Sequence, residues 1–165
     1  VIVINFTKEN TLLFNIAFIV GLVALDQLFK FFATTYLMGN GAIVIIPNIL
    51  GLRYVLNTGA AFSILSEGTN LLIILTAVAL LVMAYFLFVK KAGDKAERFC
   101  FLLIFAGGVG NLIDRVVAGQ VVDYLEFLFM EFAVFNFADI LVCLGVGLFA
   151  AYTIYVEFFK NRSAK

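Results

Sequence analysis

Apolar residues run almost unbroken through four stretches of this chain, and the polar positions collect between them. Residues 11–25 are nearly all apolar, and the run continues past Asp26 and Lys30 to Phe32. Residues 70–89 carry no charge and stop at Lys90 and Lys91. Two further runs need a few polar flanking residues to reach full length. At roughly 1.5 Å per residue, about 20 residues cross the ~30 Å of a bilayer's hydrocarbon. The pattern therefore predicts spanning helices over about 11–32, 70–89, 97–115 and 136–157, in one domain covering 1–165. Lys8 precedes the first run, which makes a cleaved signal peptide the rival reading. The run is long and no small-x-small cleavage site follows it, so the first helix is read as retained.

Two segments, 33–69 and 116–135, are left for non-helical backbone. The first holds two β-branched stretches, 42–46 and 52–56, separated by Pro47, Asn48 and Gly51. That is the pattern of strand, turn and strand, and it predicts a small sheet on the membrane surface. Residues 93–97 read as a short solvated turn. Lys8, Lys90, Lys91, Lys95, Arg98, Lys160, Arg162 and Lys165 fall at one end of the four predicted helices, against Lys30, Arg53 and Arg115 at the other. The positive-inside rule makes the first end cytoplasmic, with both termini there and both longer segments outside.

Composition sharpens this picture. With 64% apolar residues and a mean hydropathy of +1.12, soluble folding is excluded and the partner is membrane lipid. The 11 basic and 11 acidic residues leave no field to hold nucleic acid. No histidine is present, so neither an imidazole metal site nor a Ser-His-Asp triad can be built, and no metal or cofactor is expected. Cys100 and Cys143 fall at different depths of apolar runs, which favours packing over a disulfide.

A charge inside the membrane costs at least about 2.5 kcal/mol at mid-bilayer, so each one is a candidate for function. Asp26 lies 18 residues beyond Lys8, and Asp139 lies 17 before Val156, which places both roughly 25 Å from the cytoplasmic end. Asp114 reaches the same level at the end of the third run, and Asp123 follows in the adjoining segment. Two carboxylates at close range share a proton, so one acts as base on water while the other acts as acid toward a carbonyl. This chemistry needs neither histidine nor metal.

Asp26 and Lys30, at i and i+4, either neutralise each other or contact substrate. Asp114, beside Arg115 and one turn after Asn111, orders the helix end or orients a polar substrate group. Asp123 and Asp139 have no basic residue within a helical turn in sequence, which makes them the candidates for the proton-sharing pair. Glu67, Glu126 and Glu131 read as surface charges. Gly107, Gly108 and Gly110 admit the close approach of a helix or of a ligand chain. Asn57, Thr58 and Gly59 form a polar turn before residues 60–63, able to hydrogen-bond an extended peptide or to close on itself. Tyr54 and Tyr124 read as interfacial anchors.

Taken in order, five blocks resemble the lipoprotein signal peptidase family, also called signal peptidase II. They are Asp26-Gln27-Leu28-Phe29-Lys30, Asn57-Thr58-Gly59-Ala60-Ala61-Phe62-Ser63, and Gly107-Gly108-Val109-Gly110-Asn111-Leu112-Ile113-Asp114-Arg115, then Val121-Val122-Asp123-Tyr124 and Phe135-Asn136-Phe137-Ala138-Asp139. The resemblance implies an all-α polytopic membrane protein with four transmembrane helices, a small extracytoplasmic β-cradle and a short outer helix. It implies an aspartic endopeptidase of the bacterial inner membrane that cuts prolipoproteins just before their diacylglyceryl-modified cysteine. Asp123 and Asp139 take the places of the family's catalytic pair. Asp26, Lys30, Asn57, Asn111, Arg115 and Asn136 take those of its substrate- and inhibitor-contacting residues, to which the residue reading adds Gly59 and Asp114. Susceptibility to the cyclic-peptide antibiotics globomycin and myxovirescin, and a monomeric state, are expected. Phe29 and Ile140 stand where many members carry serine; neither position holds a carboxylate of the pair.

Overall fold

The computed structural model describes residues 8–59, 69–90 and 94–160. Within them four helices are long and apolar enough to cross a membrane, over Thr11–Leu37, Thr69–Val89, Lys95–Ala118 and Phe137–Phe158. The helix α1 (Lys8–Leu37) and the strands β1 (Ile43–Ile46) and β2 (Leu50–Asn57) come first. The helices α2 (Thr69–Ala84) and α3 (Lys95–Ala118) follow, then the strand β3 (Val121–Phe127) and the helix α4 (Phe137–Tyr155). Wider helical turns over Tyr85–Lys90 and Val156–Lys160 prolong α2 and α4. Because an even number of crossings separates them, the α1–α2 and α3–α4 connections lie at the same end, and both carry strands.

Two helices exceed their expected bounds. α1 takes in 33–37 and α3 takes in 116–118, at the expense of the segments read as non-helical. α3 also begins earlier, because Asp94 caps it: its carboxylate accepts the Ala96 and Glu97 backbone N–H groups at 2.9 and 3.1 Å. Residues 95–97 are therefore helical rather than a solvated turn, and 91–93 lie outside the described residues. Left-handed Gly119 (φ 72°) ends the helix, where a side chain would be strained.

β1 and β2 pair antiparallel around Pro47 and Asn48, with Asn48 at φ 61° and Ile49 N–H bonded to Ile46 C=O at 3.0 Å. Proline followed by a residue of positive φ is the type II turn signature. The structure adds a third strand that the sequence pattern did not reveal. β3 pairs antiparallel with β2, giving the order β1-β2-β3. No helix occurs in the α1–α2 and α3–α4 connections among the described residues; residues 60–68, which include the 60–63 block and Glu67, lie outside them.

α3 is the axis of the bundle and packs against each of the other three helices. Its glycines face three different neighbours, since successive positions turn by about 100°. Gly107 lies against Ala138 and Leu141 of α4, Gly108 against Leu80 of α2, and Gly110 against Asp26 of α1. Helix contact is thus the role of Gly107 and Gly110. Away from the sheet, Ile19, Leu87, Leu102, Leu103, Ala106 and Leu141 form the core. Large apolar side chains such as Val20, Leu81, Phe99 and Ile154 are exposed along all four helices, as lipid-facing surfaces require. Under the sheet, Ala33, Leu37 and Tyr124 form a second cluster. Tyr124 is therefore a core residue and not an interfacial anchor. Cys100 is buried, Cys143 is exposed, and both are free thiols.

Candidate active site

Four aspartates from four elements meet where the sheet sits on the bundle. α1 delivers Asp26, α3 delivers Asp114, β3 delivers Asp123 and the first turn of α4 delivers Asp139. Their partners divide them into two pairs.

The first pair shares one ammonium. Lys30 Nζ lies 2.8 Å from Asp26 Oδ2 and 2.6 Å from Asp114 Oδ2, and donates to Asn111 Oδ1 at 2.9 Å. Three oxygens thus lie within 3 Å of one ammonium, with Asp114 Oδ2 meeting it as an ion pair and accepting no hydrogen bond among the described residues. The other Asp26 oxygen accepts the Ala138 backbone N–H at 3.0 Å, tying α1 to the start of α4. Gln27, to which the sequence reading gave no role, donates to Asp114 Oδ1 at 2.9 Å and reaches Asp26 Oδ2 at 3.3 Å. Asp26 is fully buried and Lys30 is 3% exposed. Both polar groups are saturated within the protein. Asp114 pairs with Lys30 across the bundle rather than with its neighbour Arg115.

The second pair is held by amides. Asp123 is 2% exposed and Asn136 is fully buried. Asp123 Oδ1 accepts from Asn136 Nδ2 at 2.6 Å, and Oδ2 accepts from Asn57 Nδ2 at 2.9 Å. Asp139 Oδ1 accepts from Asn111 Nδ2 at 2.8 Å, and Oδ2 accepts from the Asn136 backbone N–H at 3.0 Å. Both carboxyls thus bond to Asn136, one through its side chain and the other through its backbone. Among the described residues, neither aspartate forms an ion pair.

Local structure fixes each of the three amides. Asn136 caps α4: its Oδ1 accepts Asp139 N–H at 3.0 Å, and the reciprocal bond from Asp139 completes a capping box. With its oxygen so used, Asn136 must turn its NH₂ toward Asp123. Asn57 Oδ1 accepts Gly59 N–H at 3.0 Å, closing its own turn, which aims its NH₂ at Asp123. Val55 lies directly opposite Asp123 and Asn57 opposite Val121, so Asn57 reaches Asp123 on the diagonal of one sheet face. Asn111 Oδ1 is taken by Lys30 and also by Asn136 Nδ2 at 3.1 Å, which leaves its NH₂ for Asp139. Asn111 is therefore the joint between the two pairs.

Burial pushes the Asp123 carboxyl up to about 6, raised further by the neighbouring Asp139 and opposed chiefly by the Asn57 hydrogen bond. Next to it, burial raises the Tyr124 phenol, which stays neutral.

An apolar groove of about 460 Å³ between α2, α3 and α4 ends at Asp139 of this second pair. Leu75, Ala79, Leu80 and Met83 line it, and Asn111, Arg115 and Asp139 stand at its polar end. Arg115 donates through Nη1 to the Asn111 carbonyl at 3.3 Å, while its buried Nε has no partner within the described residues. Glu126 pairs instead with Arg53 at the sheet rim, at 3.0 Å. Among the described residues no cluster of side chains suited to a metal ion occurs. The polar turn at Asn57 and the capping box at Asn136 were both readable as local signals. The role of Gln27 was not, because only the crossing of α1 with α3 gives it a target.

Three comparisons bear on this arrangement. A sequence profile described as "Signal peptidase (SPase) II" matches residues 18–155. The chain is 39% identical to a lipoprotein signal peptidase of Clostridioides difficile (strain 630) over 148 residues, 90% of this chain and 97% of that one. It is 38% identical to one of Symbiobacterium thermophilum over 137 residues, 82% and 90% of the two chains. Two solved bacterial membrane enzymes share the fold. One, at 2.3 Å resolution, has a TM-score of 0.75 and 33% identity, over 92% of this chain and 90% of its own. The other, at 1.9 Å, has a TM-score of 0.77 and 31% identity, over 85% and 92%.

Proposed function

The chain belongs to the signal peptidase II family of prolipoprotein-processing membrane peptidases, and from that premise we propose that it is an aspartic endopeptidase whose reacting groups are Asp123 and Asp139. One observation carries the reading. Two carboxyls from β3 and α4 converge on Asn136 with amide donors and no cation of their own, and one of them, Asp139, stands at the polar end of an apolar groove.

Asp123, whose burial raises its proton affinity, holds the shared proton. Asp139 is the base. A water between them loses a proton to Asp139 as its oxygen bonds to the scissile carbonyl carbon, while the Asp123 proton moves to the carbonyl oxygen. On collapse of the tetrahedral intermediate the C–N bond breaks, Asp139 returns its proton to the leaving amine, and Asp123 recovers its own. The same three asparagines that hold the carboxyls also fix their separation.

The substrate is a diacylglyceryl-modified prolipoprotein, cut just before the lipidated cysteine. Its apolar signal segment fits the α2–α4 groove, and the unpartnered Arg115 Nε supplies a donor for a backbone carbonyl there. Asn57 and Gly59 border the pair from the sheet side; Asn111, at the polar end of the groove, faces the substrate chain, and the fully buried Asn136 positions both carboxyls. Asp26, Lys30 and Asp114 act behind this layer, by fixing Asn111 and the start of α4. The protein works as a monomer of the bacterial inner membrane, with both termini cytoplasmic, the site at the outer face, and cyclic-peptide antibiotics such as globomycin competing for the groove.

The test is purified protein in lipid, offered a diacylglyceryl-modified precursor and its unmodified counterpart. Shortening of the modified precursor alone, stopped by globomycin, is expected. Equal cleavage of both would remove lipid recognition from the reading, and cleavage of neither would remove the activity.

A further inference from the structure

A second cavity, of about 440 Å³, lies on the other side of the aspartates, between the last turns of α1 and the underside of the sheet. Its wall is hydrocarbon throughout, formed by Phe29, Ala33 and Leu37 of α1, Leu52 of β2, Tyr124 of β3 and Phe137 of α4. It shares no wall residue with the groove that ends at Asp139. The separation follows from local geometry. Tyr124 succeeds Asp123 on a strand, where neighbours point to opposite faces. Phe137 precedes Asp139 by two positions on a helix, about 200° around its axis.

The rim consists of Phe32, Tyr36 and Ile43, all exposed. It is continuous with exposed Leu25, Leu28 and Phe31 of the first spanning helix, and with β1, whose four apolar residues are exposed on both faces. This surface belongs to the last turns of Thr11–Leu37, a helix long and apolar enough to cross a membrane, and its exposed aromatic and aliphatic side chains suit lipid chains rather than water. The cavity offers no charged group that would select a peptide. Its size suits a single narrow apolar ligand.

We propose that this cavity is a binding site for one acyl chain of a bilayer glycerophospholipid, separate from the proposed substrate groove. The lipid packs beneath β2 and β3, against Tyr124, next to Asp123 in sequence, and Phe137, two positions before Asp139, and so backs the sheet from the side away from the reacting groups. The occupant is a bilayer lipid and not the substrate's own diacylglycerol, because the reacting groups face away from this cavity.

The protein is reconstituted, without substrate, in phosphatidylethanolamine–phosphatidylglycerol vesicles. These contain a phospholipid that carries a diazirine midway along one chain; after irradiation the adducts are mapped by mass spectrometry. Adducts on Tyr124 and Phe137 are expected to saturate as the labelled fraction rises, while those on exposed Phe31 and Val116 grow in proportion. Ala33→Trp, which fills the cavity with an indole, is expected to cut the Tyr124 and Phe137 adducts at least fivefold and leave the exposed ones unchanged. If that variant does not fold, the saturation measurement on the unaltered protein decides alone. Absence of adducts on Tyr124 and Phe137, or labelling there that grows in proportion to the labelled fraction, overturns the proposal. So does labelling that is indifferent to Ala33→Trp in a folded protein.

Discussion

Two pairs of aspartates lie in one layer of this protein, and they differ in what compensates them. Asp26 and Asp114 share the Lys30 ammonium. Asp123 and Asp139 have only amide and backbone N–H donors. Burying a carboxylate without a counter-charge is costly, and the group responds by holding a proton. Asp123 does so, with its carboxyl raised to about 6. The first pair therefore spends its charge on holding three helices in place, and the second keeps a proton available for chemistry. Asn111 joins them, because the ammonium that fixes its oxygen also fixes the direction of its donors.

The contrast breaks most sharply at the second pair. Asp123→Asn and Asp139→Asn are each expected to lower cleavage of a lipidated precursor by roughly 10⁴-fold, with the variant still inserted and folded. Near-normal turnover in either would remove that residue from the reaction and leave Asp114 as the next candidate.

At the first pair the expected loss is of stability. Lys30→Met leaves two buried carboxyls without their cation, a change that costs about 3–5 kcal/mol and on the order of 10 °C in melting temperature. Buried Cys100 offers the readout: a thiol-reactive dye should label it at a lower temperature, in a Cys143→Ser background that removes the exposed thiol. An unchanged midpoint would show that the ammonium is dispensable to the fold.

The proton itself gives a smaller and more specific effect. Activity that needs one protonated carboxyl falls as pH rises through the pair's upper apparent pKa, near 6. Asn57→Ala removes a hydrogen bond that lowers the Asp123 value, so this limb should move to higher pH. A limb that stays put would detach Asp123 from it. The sign for stability is fixed by the same shift. The folded carboxyl binds its proton more tightly than the unfolded one, so this contribution is complete below about pH 4. It is lost as pH rises to about 6, and amounts to no more than about 3 kcal/mol.

The smallest effect belongs to the Arg53–Glu126 pair at the sheet rim, where Arg53 is half exposed. Arg53→Ala is expected to change stability by less than about 1 kcal/mol. A loss as large as that of Lys30→Met would mean that burial does not separate structural from superficial ion pairs here.

Much of the molecule is legible in its sequence, for one physical reason: a bilayer demands long apolar helices, so four spans show in hydropathy alone. The β1–β2 hairpin is equally local, since Pro47 and Asn48 prescribe its turn. The shared level of Asp26, Asp114 and Asp139 follows from residue counts along straight helices, whereas Asp123 arrives there on β3. What the sequence left open depends on contacts between distant segments. β3 gains its strand character by pairing with β2. Asp26 and Lys30 resolve into a buried ion pair because Gly110 lets α3 approach them and Asp114 arrives from across the bundle. Tyr124 turned inward because the last turns of α1 lie beneath the sheet. One-dimensional pattern fixed the level of the helical aspartates along their helices. Only packing decided which groups face one another, because hydrogen bonds are set by atoms brought together from four separate elements.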